Sequence, residues 1–222
     1  MKIKLIHMPR VHIGYGHKQI PLVPLGIATL KSFLEKQGYK IDIDDLNIKV
    51  DYDTKYSKDR DQKGINLMLF ENRERIRNYL KRGNDPEIEE EAEKILKKTN
   101  YKGYDIIGMS LQDELIFSVI GVSLVTAKLI KEQTGATIVL GGLTYPRPRV
   151  EHQKILNTGY VDYIVEGKGE YTFLNVCRGL EKGNLNKLDI NELLSKGNKG
   201  PKTSKPLDSQ KKNIFHNYLM NN

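Results

Sequence analysis

"VLGGLTYPRPR", Val139 to Arg149, opens as a short apolar run and breaks at once into a glycine pair and a proline-rich turn. Two other stretches share this form. "YDIIGMSLQDE" (Tyr104 to Glu114) ends its apolar run at Ser110, and "DYIVEGKGE" (Asp162 to Glu170) ends in a turn of glycines and acids. Strand-length apolar runs that stop this abruptly, with helix-length segments between them, describe an open α/β sheet. Ligands of such sheets bind outside the carboxyl ends of the strands. Any site is thus located before it is identified.

Working outward, "IKLIH" (Ile3 to His7) reads as a buried first strand, and a Gly/His/Pro-rich loop follows it. "PLGIATLKSFLEKQG" has Pro24 at a helix start and Gly38 just past its end, with Leu25, Ala28, Leu30, Phe33 and Leu34 at helical spacing. "YKIDIDDL" alternates Ile41 and Ile43 with acids as a second strand. Residues 47–103 interrupt the rhythm: a polar loop, then "INLMLFENRERIRNYLKRG" and "DPEIEEEAEKILKKTN" as helices, the second capped by Asp85 with Pro86 at its first position. They read as a helical insertion between strands 2 and 3, lying over the loop edge as a lid or against the side of the sheet. Helices over 115–135, 149–159 and 169–183 separate or follow the remaining strands. The expected fold is a flavodoxin-like (Rossmann-like) α/β domain over 1–182, its five-stranded parallel sheet in the order 2-1-3-4-5. Residues 183–222 read as linker and basic tail.

The 222 residues carry a net charge of +8, with 38% hydrophobic and 29% charged residues. Six lysines against one acid, Asp208, follow from Lys196 onward, so much of the excess lies in the tail. No basic strand interleaved with aromatics is present to stack bases, and a nucleic-acid partner is not expected. No apolar run reaches the ~20 residues of a membrane span, and the N-terminus lacks the h-region of a secretory signal. A cytoplasmic location is expected. The single cysteine, Cys177, excludes an internal disulfide framework and any site built from several cysteines of this chain.

Each candidate site residue has a plainer reading beside the functional one. Gly141 and Gly142 let backbone approach a flat ligand closely, or merely permit a tight strand-to-helix turn. Ser110, with Leu111 and Gln112, offers polar groups to a ligand, or Ser110 caps the next helix. Gly167, Gly169 and Glu170 form a close turn in which Glu170 suits a helix start. His7, His12 and His17 fall within eleven residues, but no cysteine accompanies them and a protein-only metal site is not expected. Cys177 reads as a buried free thiol. No Walker A loop, nucleophile elbow or G-x-G-x-x-G after the first strand occurs.

Four pieces together resemble the cobalamin (B12)-binding domain found at the N-terminus of many radical S-adenosylmethionine (SAM) enzymes. "PLVPLGIATLKSFLEKQGYKIDIDDL" resembles its first helix and second strand, "YDIIGMSLQ" its D-[IV]-[IV]-G-[IL]-S segment, and "ATIVLGGLTYP" its [IV]-V-x-G-G strand end. "VDYIVEGKGEYTF" is similar to its D-x-[IV]-[IV]-x-G-E-G-E segment, with Lys168 where the family usually has Glu. The resemblance implies that Ser110, Leu111, Gln112, Gly141, Gly142, Leu143 and Thr144 line the cleft for cobalamin, with Gly167, Gly169 and Glu170 close by. The histidine-ligating signature D-x-H-x-x-G is incomplete: His12 is present, but Arg10 replaces the Asp and Tyr15 the final Gly. The implied cofactor is therefore base-off, without histidine ligation. The C-x-x-x-C-x-x-C motif cannot be formed with one cysteine, so SAM and the [4Fe–4S] cluster are expected only on a partner domain or chain. The implied function is a non-catalytic cobalamin-binding module of a methyltransferase-type radical SAM system. A cofactor-free docking or substrate-recognition module for such a partner is the alternative. A phosphoryl receiver fits less well, because "LIHMPR" supplies no acid after the first strand.

Overall fold

The computed structural model describes residues 1–9, 24–50, 65–111, 117–143, 149–166, 168–183 and 193–195. Strand β1 (Lys2–His7) leads to helix α1 (Leu25–Lys36) and strand β2 (Lys40–Asp45). After a 3-10 turn (Leu67–Glu71) come α2 (Arg73–Arg82), α3 (Pro86–Leu96), β3 (Ile106–Ser110), α4 (Phe117–Thr134) and β4 (Thr137–Leu143). The chain continues through α5 (Arg149–Asn157), β5 (Tyr163–Glu166), α6 (Gly169–Glu181) and β6 (Leu193–Ser195). The sheet order is β2-β1-β3-β4-β5-β6. Its first five strands are parallel in the expected 2-1-3-4-5 order, and β6 pairs antiparallel with β5. This sixth strand falls inside the stretch read as linker.

Parallel strands are covered on both faces, so their side chains divide between two cores. Ile6, Met8, Ile107, Met109, Ile138, Leu140 and Ile164 point to one face, against α4 and α5. Ile3, Leu5, Ile106, Val139 and Val165 point to the other, against Ile27 and Leu34 of α1 and Phe173, Leu174 and Val176 of α6. Gly108 lies under that second face. A Cβ there would come 2.8 Å from Leu5 Cδ2 and 3.1 Å from Phe173 Cε2. Its absence lets the Phe173 ring seat on the sheet, a burial worth about 1.5–3 kcal/mol.

The described part of the insertion packs on the first face. Ile76, Tyr79, Leu80, Ile88, Ala92 and Ile95 join the core that contains α4. It is therefore a side layer. The expected single helix over 65–83 is broken at Asn72, whose side chain accepts from Arg75 N at 3.0 Å and starts α2 afresh. Asp85 caps α3 as expected, accepting from Ile88 N at 3.3 Å, with Pro86 in the first turn. Arg75 clamps this corner by donating to both Asp85 oxygens, at 2.6 and 2.7 Å. Among the described residues, no helix is long and apolar enough to cross a membrane.

Candidate functional site

A cleft of about 210 Å³ opens at the carboxyl edge of the sheet, on the face shared by α1 and α6. Leu5, Ile27, Leu30, Val139, Val165 and Phe173 make it apolar. Ser110, Lys168 and Glu170 give it polar points. Gly26, Gly108, Gly141, Gly142 and Gly169 also line it, so much of the wall is bare backbone.

These glycines are there for different reasons. Gly142 has φ +80°, and a Cβ on it would lie 2.9 Å from Ser110 Oγ and 3.0 Å from Leu111 O. It is required by packing against the end of β3. The pairing of β4 with β5 shifts register between Leu140 and Leu143, the irregularity that this backbone accommodates. Among the described residues, a Cβ on Gly141 would meet only Val165, at 4.0 Å, and one on Gly26 would meet nothing within 4 Å. At Gly141 the missing side chain leaves space that a ligand can use.

Of the residues singled out from the sequence, Ser110, Gly141, Gly142, Gly169 and Glu170 come together around this cleft. Leu111 does not: its side chain is fully buried in the core of the opposite face, and its N–H donates to Gly141 O at 2.9 Å. Leu143 contributes backbone to β4. Gln112, Thr144 and Gly167, like His12 and His17, lie outside the described residues. Gly169 and Glu170 begin α6, and Lys168 before them makes no side-chain capping bond. The apolar wall from α1 and Phe173 was missed as a site. Its only sequence signal is the helical spacing that also marks ordinary core.

Across the carboxyl edge, Asp45, His7, Ser110 and Gly141 stand in register on β2, β1, β3 and β4. His7 Nδ1 lies 3.0 Å from Asp45 Oδ1, whereas His7 Nε2 has no hydrogen-bond partner among the described residues. Ser110 is therefore not bonded to the imidazole, and these two do not form a nucleophile–base pair. No group of three or more His, Cys, Asp or Glu able to hold a metal occurs among the described residues. Cys177 is fully buried, and burial, followed by Glu181, pushes its thiol up to about 12, far from a reactive thiolate.

Next to this row, Lys4 Nζ lies 2.7 Å from Asp44 Oδ2, and Lys49 Nζ lies 2.5 Å from Asp44 Oδ1. Thr99 donates to the same carboxylate. Burial works to raise the Asp44 carboxyl, but these hydrogen bonds together outweigh it and hold it below the ordinary carboxylate range. The network ties β1 and β2 to the residues after α3 and does not enter the cleft.

The arrangement suits a flat, largely apolar group with a few polar edges, held without covalent chemistry. The chain matches no protein-family model, no curated protein and no solved structure.

Proposed function

We propose that this domain is a cobalamin-binding module of a methyltransferase-type radical SAM system. The iron–sulfur cluster and SAM would be held by a partner domain or chain. The carrying observation is the cleft itself: the strand ends and the α6 start on which the resemblance rests line one cavity with an apolar floor. A cavity of about 150 Å³ accepts benzene, so one of about 210 Å³ suits a fused two-ring heterocycle such as the nucleotide tail of base-off cobalamin. The corrin macrocycle is too large to enter and would remain outside it. Val139, Val165, Ile27 and Phe173 would hold the tail's rings, Ser110 would offer a hydroxyl, and Gly141 would leave them room. Bound cobalamin would supply a cobalt centre for methyl transfer, while this chain binds and orients it. No histidine ligand is invoked, in keeping with Arg10 and Tyr15 in the incomplete signature.

A cofactor-free docking module is the second reading, favoured by Leu25 and Tyr171. These side chains are 76% and 74% exposed at the starts of the two helices that flank the cleft. One experiment separates the two. The purified chain is mixed with hydroxocobalamin and desalted, and its visible spectrum is recorded. Near-stoichiometric retention of the corrin bands supports the cobalamin reading; complete loss of colour leaves the docking reading.

A further inference from the structure

His7 ends β1 with 1% of its surface exposed, and the binding reading above makes no use of it. Its Nδ1 faces Asp45 on β2, and its Nε2 is buried without a hydrogen-bond partner among the described residues. Buried polar atoms in folded proteins are nearly always satisfied, and an exception signals a missing partner or a functional group. Asp45 has a second use, since the same Oδ1 accepts from Ile48 N at 3.2 Å and caps the helical segment 46–50. With a carboxylate at Nδ1, the neutral ring carries its proton there and presents a bare lone pair at Nε2.

His7 does not itself line the cleft, but it stands in register with a residue that does. Residues alternate faces along a strand, so His7 shares the face of Ile3 and Leu5, and Leu5 lines the cleft. Its register partner on β3 is Ser110, which also lines it. Neighbouring strands are about 4.8 Å apart, so a ligand against Ser110 lies within roughly one strand spacing of the imidazole. Because β2 and β3 flank β1 on opposite sides, turning Nδ1 toward β2 turns the rest of the ring's polar edge away from it.

We propose that His7 Nε2 accepts a hydrogen bond from a hydroxyl or amide N–H of the molecule bound in the cleft, with Asp45 as the positioning residue that sets the tautomer. The proposal rests on the cobalamin reading, and that cofactor offers both donors: the ribose hydroxyl of its nucleotide tail and the carboxamides of its corrin. His7→Phe keeps a ring but removes the acceptor. Asp45→Ala removes the one oxygen that faces both His7 Nδ1 and Ile48 N, so Nδ1 loses the acceptor that holds its proton and the segment 46–50 loses its cap.

The test titrates wild type and both variants with hydroxocobalamin and with cobinamide, which lacks the tail, and follows melting temperature in parallel. His7→Phe is expected to bind hydroxocobalamin about tenfold more weakly, the size of one lost hydrogen bond near the upper end of its range, while melting close to wild type; Asp45→Ala is expected to bind more weakly and, without its cap, to melt lower. A loss seen with hydroxocobalamin alone identifies the ribose hydroxyl as donor, and a loss with both probes identifies a corrin amide. Nitrogen-15 spectra of the imidazole supply a readout that packing alone does not move. Free wild type is expected to show His7 protonated at Nδ1 and bare at Nε2, and Asp45→Ala to lose that preference for Nδ1. Wild-type retention with both variants unimpaired overturns the His7 proposal and spares the cobalamin reading. A wild-type His7 carrying its proton on Nε2 also overturns the proposal alone. Failure of wild type to retain either corrinoid overturns the reading, and the proposal with it.

Discussion

Gly141 and Gly142 are adjacent, yet replacing them is expected to have opposite consequences. Alanine at 142 places a methyl 2.9 Å from Ser110 Oγ, 3.0 Å from Leu111 O and 3.2 Å from Leu111 N. Two of those neighbours are backbone atoms held in place by the bond from Leu111 N to Gly141 O, so the strain cannot be relieved by a rotamer change. The left-handed φ of +80° adds a cost of about 1–2 kcal/mol for a residue with a side chain. Overpacking adds about 1–3 kcal/mol. Gly142→Ala should therefore destabilise by about 2–5 kcal/mol, moving the urea midpoint down by roughly 1–2.5 M for a slope of about 2 kcal/mol/M. Among the described residues, alanine at 141 meets only Val165, at 4.0 Å, and it reduces the freedom of the unfolded chain, so its stability should stay within about 1 kcal/mol of wild type. The same site tests binding: Gly141→Leu should abolish hydroxocobalamin retention while unfolding near the wild-type midpoint. Gly142→Ala unfolding with wild type would refute the close packing of β4 on β3. Undiminished retention by a folded Gly141→Leu protein would refute the cleft as the binding site.

Two further outcomes follow from the electrostatics. Asp44 is held low by hydrogen bonds from Lys4, Lys49 and Thr99 that together overcome the upward push of burial, and Asp85 is held low chiefly by Arg75. With folded values depressed, the stability these groups supply is fully present above the unfolded carboxylate value of about 4 and is lost as pH falls through the lower folded values. Urea midpoints should therefore drop below about pH 4, and Asp44→Asn should flatten part of that drop; an unchanged acid limb would refute the Asp44 assignment. Cys177, buried with its thiol pushed up to about 12, should resist an aromatic disulfide reagent at mildly alkaline pH in the native protein and react fully in denaturant. Rapid labelling of the native form would show that the α6 face of the core is open.

The fold was legible wherever local pattern and final environment agree. Apolar runs such as Ile106–Met109 and Ile138–Leu140 are buried on both faces of a parallel sheet, so their composition alone marks them, and Pro24, Gly38 and Pro86 punctuate the helices beside them. Two features lacked such a signal. The break at Asn72 depends on one side chain capturing Arg75 N, an event that an apolar period running through it conceals. Strand β6 is three residues long and pairs antiparallel with β5. Its partner, rather than any pattern of its own, makes it a strand.

The site divides along the same line, with a sharper consequence. Strand ends and their glycines could be read from the sequence because ligands of open α/β sheets gather there. What each glycine is for could not, because that depends on atoms from other strands. Gly108 makes room for Leu5 and Phe173, Gly142 for Ser110 and Leu111, and Gly141, among the described residues, for nothing within ordinary contact except Val165. A run written "GG" therefore contains one residue required by the fold and one available to a ligand. The histidines carry the same lesson in reverse. Along the chain, His7 groups with His12 and His17. Across the sheet, its partner is Asp45, 38 residues away, and its neighbour is Ser110. In a parallel sheet the chemistry of an edge is assembled by register, and sequence proximity points at right angles to it. The His7–Asp45 pair, next to Ser110 across the sheet, thus carries no motif in the sequence.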